Sequence, residues 1–269
     1  MPAPSITFAD LPSGARTAIE AEIGSILRVE DVSTGLNSSL SALAHTADGA
    51  VFLKGLRADH RWVWTQQREA DINPYVTPLA PRLLFHVIAG GWELLGFEAI
   101  DGHHADYSPG SPDLPKVTGA LRELSSLPCP DIELRRAEQR LAGYVADPAD
   151  AKPFAGNALL HTDWNNHNVL ITHHGAHLVD WGWATRGAAW LDPAHWIIWL
   201  IRAGHSPASA EALAGRLPAW TSAPPRAVDA FALASVNLWA GIAGTAPDEW
   251  TRNLLAAARL WQRHRGGRP

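Results

Sequence analysis

The sequence predicts an α+β chain in two lobes: an antiparallel-sheet N-lobe over residues 1–100 and a mainly helical C-lobe over residues 101–269. Three observations carry this. Short apolar runs bounded by turn residues crowd the first hundred positions, residues 101–112 have the Gly, Pro, Ser and His content of a crossing segment, and helical periodicity dominates from Leu114 onward. With 269 residues, 46% of them apolar, the chain can bury a substantial core.

In the N-lobe, Ala18, Ile19, Ile23, Ile26 and Leu27 recur at helical spacing and predict a leading helix over 14–27. Segments 28–33, 40–46 and 50–56 read as strands, the last two joined through Asp48-Gly49, a strong hairpin-turn pair. A helix over 59–75 has Asp59 as its N-cap and ends near Pro74 and Pro78. Apolar runs 83–89 and 92–100, split by Gly90-Gly91, complete a five-stranded sheet interrupted by one helix. The C-lobe is expected to hold helices over 115–126, 132–145, 190–203, 207–217, 226–242 and 248–263. Between them a hairpin over 168–180 turns at His173-His174-Gly175.

Composition narrows the function. No stretch approaches ~18 uninterrupted apolar residues and residues 1–10 lack the basic start of a secretory signal, so a cytoplasmic protein with no membrane partner is expected. The single cysteine, Cys129, can make no internal disulfide and no thiol-based metal site. A net charge of −5, mixed in sign, gives no basic field for nucleic acid and leaves small molecules as the natural partners.

The strongest chemical signal is His161-Thr162-Asp163-Trp164-Asn165-Asn166-His167-Asn168, which fits the kinase catalytic-loop pattern of His-x-Asp followed five residues later by Asn. An aspartate on such a loop can accept the proton of an acceptor hydroxyl, while the asparagine offers its amide oxygen to magnesium. Asp180 follows at the far end of the hairpin. A hairpin brings its ends together, so Asn168 and Asp180 are expected to hold one hard, oxygen-seeking cation. Upstream, Lys54 ends a predicted strand and Glu69 lies on the next predicted helix, the order in which kinases place their phosphate-binding lysine and its glutamate partner. Gln66, Gln67 and Asp71 lie close enough in sequence that the helix phase stays open. Between the first two strands, residues 33–39 would cover the phosphates through backbone amides and the side chains of Asn37, Ser38 and Ser39, since no Gly-x-Gly-x-x-Gly pattern occurs.

Taken in order, Lys54, Glu69, His161-x-Asp163-x-x-x-x-Asn168, Asp180-x-Gly182 and Asp192-Pro193-Ala194 resemble the aminoglycoside phosphotransferase family of small-molecule kinases over residues 33–194. The resemblance implies a two-lobed protein-kinase-like fold, Mg2+, and ATP or GTP as co-substrate. It places the purine at a hinge near Phe97, Glu98 and Ala99, and it implies phosphorylation of an acceptor hydroxyl, as on an antibiotic. Asp192 is read as structural, tying the loop after the metal aspartate to the C-lobe. The chain departs from the family at Thr162, where Gly is usual, at Asn165-Asn166-His167 in place of His-Pro-Gly, and at Trp196 in place of an acidic residue. A primary-metabolite kinase and a non-catalytic nucleotide-binding protein are the alternatives.

Thirteen histidines raise a zinc reading, but no His-Glu-x-x-His or other familiar ligand spacing occurs. Thirteen tryptophans read mostly as core, with Trp164, Trp181 and Trp183 near the motifs as possible walls of an acceptor pocket. From Trp190 to Pro269 five acidic residues stand against eight arginines, which favours a neutral or sugar-bearing acceptor, nucleoside-type included, over a polycation.

Overall fold

The computed structural model describes residues 5–32, 38–77 and 79–267. The chain divides into two compact units: Met1–Asp101 together with Val179–Trp183, and Gly102–Leu178 together with Ala184–Pro269.

In the first unit, helix α1 (Ser13–Ile23) stops at Gly24, whose φ of 78° is available to glycine at no steric cost, so the predicted continuation to Leu27 is lost. Strands β1 (Arg28–Asp31), β2 (Leu40–Thr46) and β3 (Gly49–Arg57) lead to α2 (Trp64–Val76), then β4 (Leu83–Ala89) and β5 (Trp92–Glu98). They form one antiparallel sheet in the order β1-β2-β3-β5-β4. Leu40, Ala42 and Ala44 alternate onto one face of β2. There they join Leu53, Phe85, Trp92 and Leu94 in a core capped by Leu11, Ala15 and Ile19. Gly96 leaves room on β5 for the Phe85 ring, which a Cβ there would meet at 2.1 Å.

Asp59 does not cap α2. Its carboxylate accepts two hydrogen bonds from the Arg57 guanidinium, Nε and Nη2 each at 2.9 Å, and the chain turns through 58–63 before the helix starts at Trp64. The helix also runs past Pro74 to Val76. Asn73 fixes its exit, donating to the Pro81 carbonyl and accepting from the Leu83 N–H, both at 2.8 Å.

The second unit contains β6 (His103–His104), α3 (Leu114–Ser126), β7 (Arg135–Arg136), α4 (Ala137–Leu141), β8 (Ala158–Leu160), β9 (Val169–Ile171), β10 (Ala176–Leu178) and β11 (Thr185–Gly187). Helices α5 (Leu191–Arg202), α6 (Pro207–Ala214), α7 (Pro218–Thr221), α8 (Pro225–Ala243) and α9 (Glu249–Gly266) follow. The expected hairpin is β9–β10, with Val169 opposite Leu178, and β6 extends it to three strands in the order β10-β9-β6. The helix expected over 132–145 is mostly absent. Arg135 and Arg136 pair in parallel with Thr185 and Arg186, so the sheet β7-β11-β8 captures that backbone and leaves only α4 helical.

Helix α5 is buried on nearly all sides, as its apolar sequence requires of a central helix. Phe231 of α8 meets Phe154, Trp190 and Trp261 at centroid distances of 6.0, 5.8 and 6.0 Å, mostly edge to face. Among the described residues no helix is long and apolar enough to cross a membrane.

Candidate active site

In the first unit, β3 carries Lys54 to a buried position where its Nζ donates to Glu69 Oε2 at 2.6 Å and to Asp180 Oδ1 at 2.7 Å. This settles the phase of α2: Glu69 faces the lysine, while Gln67 donates to Asp71 on the exposed side. Glu69 also accepts, through Oε1, the Trp181 N–H at 3.2 Å, and so fastens the segment that bears Asp180. Gly182 permits that approach, because a Cβ there would sit 2.8 Å from the Thr65 Cβ. Burial opposes the Lys54 charge, yet the Asp180 and Glu69 carboxylates outweigh it and hold the ammonium's pKa above its usual value. Burial lifts the Glu69 pKa; Lys54 pulls it down and Asp180 lifts it again, for a net upward shift. Two carboxylates share one ammonium, a charge balance suited to a further cation.

In the second unit, the segment after β8 forms the His161–Asn168 loop. Asp192, in the first turn of α5, accepts the His161 N–H at 2.9 Å and the Thr162 N–H at 2.8 Å, one on each carboxylate oxygen. The structural role expected of Asp192 thus falls on the catalytic-type loop itself, rather than on the segment after Asp180. Thr162 has a φ of 68°, a left-handed conformation costly for a β-branched residue, where the family pattern has glycine. Its hydroxyl accepts from Arg140 Nη1 at 3.0 Å, a hydrogen bond that glycine cannot make. Arg140 also donates to Thr185 Oγ1. Burial and then the nearby charge of Arg135 push the Arg140 pKa down to about 10, against the pull of Asp163 and Asp192, so it stays cationic at neutral pH. Nothing in the sequence flagged Arg140, which lies outside every motif.

Asp163 is partly exposed, and its Oδ1 accepts the Asn165 N–H at 3.3 Å. Asn168 donates from Nδ2 to the Asp163 carbonyl at 3.4 Å, which leaves its amide oxygen as the atom to offer a cation. Asn165 caps the short 3₁₀ turn, accepting the His167 N–H at 3.2 Å.

Burial raises the Asp192 pKa from 3.8 to about 6, against the two loop N–H groups and Arg140, which lower it. Between those values the folded state binds more protons than the unfolded state, so the stability this group contributes is full below about pH 4 and lost as pH rises through 6. We expect stability to fall over that window by about 3 kcal/mol more in the wild type than in Asp192→Asn. Denaturant midpoints at a series of pH values read this as a difference in slope; parallel curves would contradict it.

Other expected site residues are placed differently. Asn37 lies outside the described residues. Ser38 and Ser39 are buried, and the Ser39 N–H is given to the Gly55 carbonyl at 3.0 Å, so that amide is not a phosphate donor here. Phe97 is buried in the sheet. The Glu98 N–H goes to the Arg82 carbonyl and its side chain to the Arg82 guanidinium, while Ala99 follows just past the end of β5. Trp164 and Trp181, at 0% and 2% exposure, are core; Trp183 is partly exposed and packs edge-on to Trp64 at 5.2 Å. His173 and His174 stack at the hairpin tip, 3.7 Å apart.

A five-stranded sheet carrying a buried Lys–Glu pair, and a mainly helical unit carrying a His-x-Asp loop ahead of a hairpin, define the two-lobed protein-kinase-like α+β fold found in small-molecule kinases. No protein-family model and no curated protein sequence matches the chain. Among solved structures, choline kinase LicA from Streptococcus pneumoniae matches with a TM-score of 0.64 at 12% identity, covering 93% of this chain and 99% of that one. Aminoglycoside phosphotransferase APH(4)-Ia matches with a TM-score of 0.63 at 13% identity, covering 91% and 98%. LicA has been solved with AMP, and a thermostable APH(4)-Ia mutant with AMP-PNP and hygromycin B. At these identities the likeness establishes the fold.

Proposed function

We propose that this chain is a magnesium-dependent O-phosphotransferase that moves the γ-phosphoryl of ATP or GTP to a hydroxyl of a small molecule. The observation that carries the reading is Lys54, buried on β3 and held by Glu69 and Asp180 together. A cation fixed by a helix glutamate has no need of a buried site for stability alone, but it is what nucleotide phosphates require. Magnesium would neutralise phosphate charge, and its hard oxygen donors would be the Asn168 amide oxygen and the Asp180 carboxylate.

In the reaction, Asp163 orients the acceptor hydroxyl. The acceptor oxygen bonds to the γ-phosphorus as the bond to the β–γ bridging oxygen breaks, the nucleoside diphosphate leaves, and the hydroxyl proton passes to Asp163. Positioning and charge neutralisation supply most of the acceleration. A sugar-bearing antibiotic, neutral or nucleoside-type, is the acceptor class this reading favours, acted on in the cytoplasm where nucleotide is available.

Asp180→Asn tests the metal role without disturbing the backbone, because Asp180 has a φ of 63° and Asn tolerates that region where Ala does not. Nucleotide affinity at limiting magnesium should fall at least roughly tenfold. Calorimetric titration across magnesium concentrations reads the effect. A wild type that binds neither ATP nor GTP at any magnesium level would overturn the function.

A further inference from the structure

A cavity of about 310 Å³ opens within the second unit beside the His161–Asn168 loop. His104, Ala105, Asp106 and Tyr107 line it. The Ala105 N–H donates to the Val169 carbonyl of β9 at 2.9 Å, Asn166 Nδ2 donates to the Ala105 carbonyl at 3.3 Å, and His205 Nε2 lies 2.9 Å from the Tyr107 carbonyl. The end of α5, with Trp199 and Arg202, also lines it. The cavity is therefore built from the same segments that hold the catalytic-type loop.

Two polar groups here lack partners. Arg202 Nε is buried with no hydrogen-bond acceptor, and the guanidinium lies 5.6 Å from the Trp199 ring centroid. No carboxylate among the described residues pairs with it. The Tyr107 hydroxyl is likewise buried without a partner, in a residue only 3% exposed. The one acidic residue on the wall, Asp106, is occupied: one oxygen accepts the Ser108 N–H at 2.9 Å and the other the Ser108 hydroxyl at 2.7 Å. His104, on the same wall, is held toward its neutral form by burial and by His167. The neutral Ser108 donors leave the Asp106 carboxylate charged, so among the described residues Arg202 and Asp106 are the charged groups that line the cavity, and a guanidinium does not lose its proton in a protein.

We infer that Arg202 receives an oxyanion of the acceptor, a carboxylate or a phosphate monoester, while Trp199 and Tyr107 flank the body of the molecule. Calling that molecule the acceptor rests on the phosphotransferase reading; the anion site stands on Arg202, Trp199 and Tyr107 alone.

The test uses the full chain labelled with ¹⁵N-tryptophan and follows the Trp199 indole N–H resonance, assigned by its loss in Trp199→Phe. Sodium phosphate and sodium acetate are titrated in turn, against sodium chloride at equal ionic strength. The inference predicts a saturable shift with phosphate or acetate that chloride does not produce. The oxyanion with the tighter saturation names the group. Affinity should weaken at least about tenfold in Arg202→Gln and be largely kept in Arg202→Lys. No saturable shift in the wild type, or an equal one in Arg202→Gln with the other indole resonances unmoved, overturns it. Nucleotide is absent throughout, so an anion-dependent shift in a chain that binds no nucleotide would leave the anion site standing and remove only the phosphotransferase reading.

Discussion

Asp163→Asn should lower phosphoryl-transfer turnover by roughly a thousandfold while leaving magnesium–nucleotide affinity within about twofold. The asparagine is nearly isosteric, and its amide oxygen can still accept the Asn165 N–H that Asp163 now accepts at 3.3 Å, so the loop keeps its shape. What disappears is the negative charge and the basicity that draw the hydroxyl proton. Lys54, Glu69 and Asp180, proposed for the nucleotide, lie on other segments, and Asn168 bonds to the Asp163 carbonyl, which the substitution keeps. Single-turnover kinetics with parallel nucleotide titration separates the two quantities. Loss of nucleotide binding in a folded Asp163→Asn protein would contradict a catalytic-base role, as would turnover near the wild-type value.

Asp192→Ala should be the most damaging substitution for stability, costing about 3–5 kcal/mol. The carboxylate is buried and accepts two consecutive loop N–H groups, at 2.9 and 2.8 Å, and both hydrogen bonds would be lost. Arg140, itself buried, would also lose a neighbouring negative charge. For a chain of this size the melting temperature should fall by roughly 10 °C. Because those N–H groups belong to the residues just before Asp163, activity per folded molecule should fall too. Calorimetry and activity corrected for folded fraction check both parts. A melting temperature within a degree or two of wild type would mean that the carboxylate's burial penalty cancels its hydrogen bonds.

The parts of the site readable in sequence are those fixed by local spacing. The order of strand lysine, helix glutamate, His-x-Asp loop, Asn168 and Asp180 survives as spacing because neighbouring elements present these residues. The five-stranded sheet was legible for a similar reason: its strands are four to nine residues long and bounded by turn chemistry at Asp48-Gly49 and Gly90-Gly91. Strands of two or three residues, such as β6, β7 and β11, are too short to carry a period and exist only through pairing with distant chain. That is why 132–145 read as a helix, since the competing pairing partner, Thr185–Arg186, lies about fifty residues away. Arg140 was illegible because its role comes from what surrounds it, and an arginine on a short helix ordinarily reads as surface. For Trp164 and Trp181 the sequence leaves core and pocket wall both open. Adjacency to catalytic motifs suggested pocket walls, whereas their bulk fills the core behind the loops.

Phosphoryl transfer is the most direct measurement. ATP and GTP are offered with magnesium and a panel of nucleoside antibiotics, sugar-bearing antibiotics, aminoglycosides, and carboxylated or phosphorylated small metabolites, and the products are weighed by mass spectrometry. A product heavier by one phosphoryl group, dependent on magnesium and lost in Asp163→Asn, is the predicted result. A wild type that makes no such product and binds neither nucleotide would contradict the reading of Lys54, Asp163 and Asp180 as parts of one phosphotransferase.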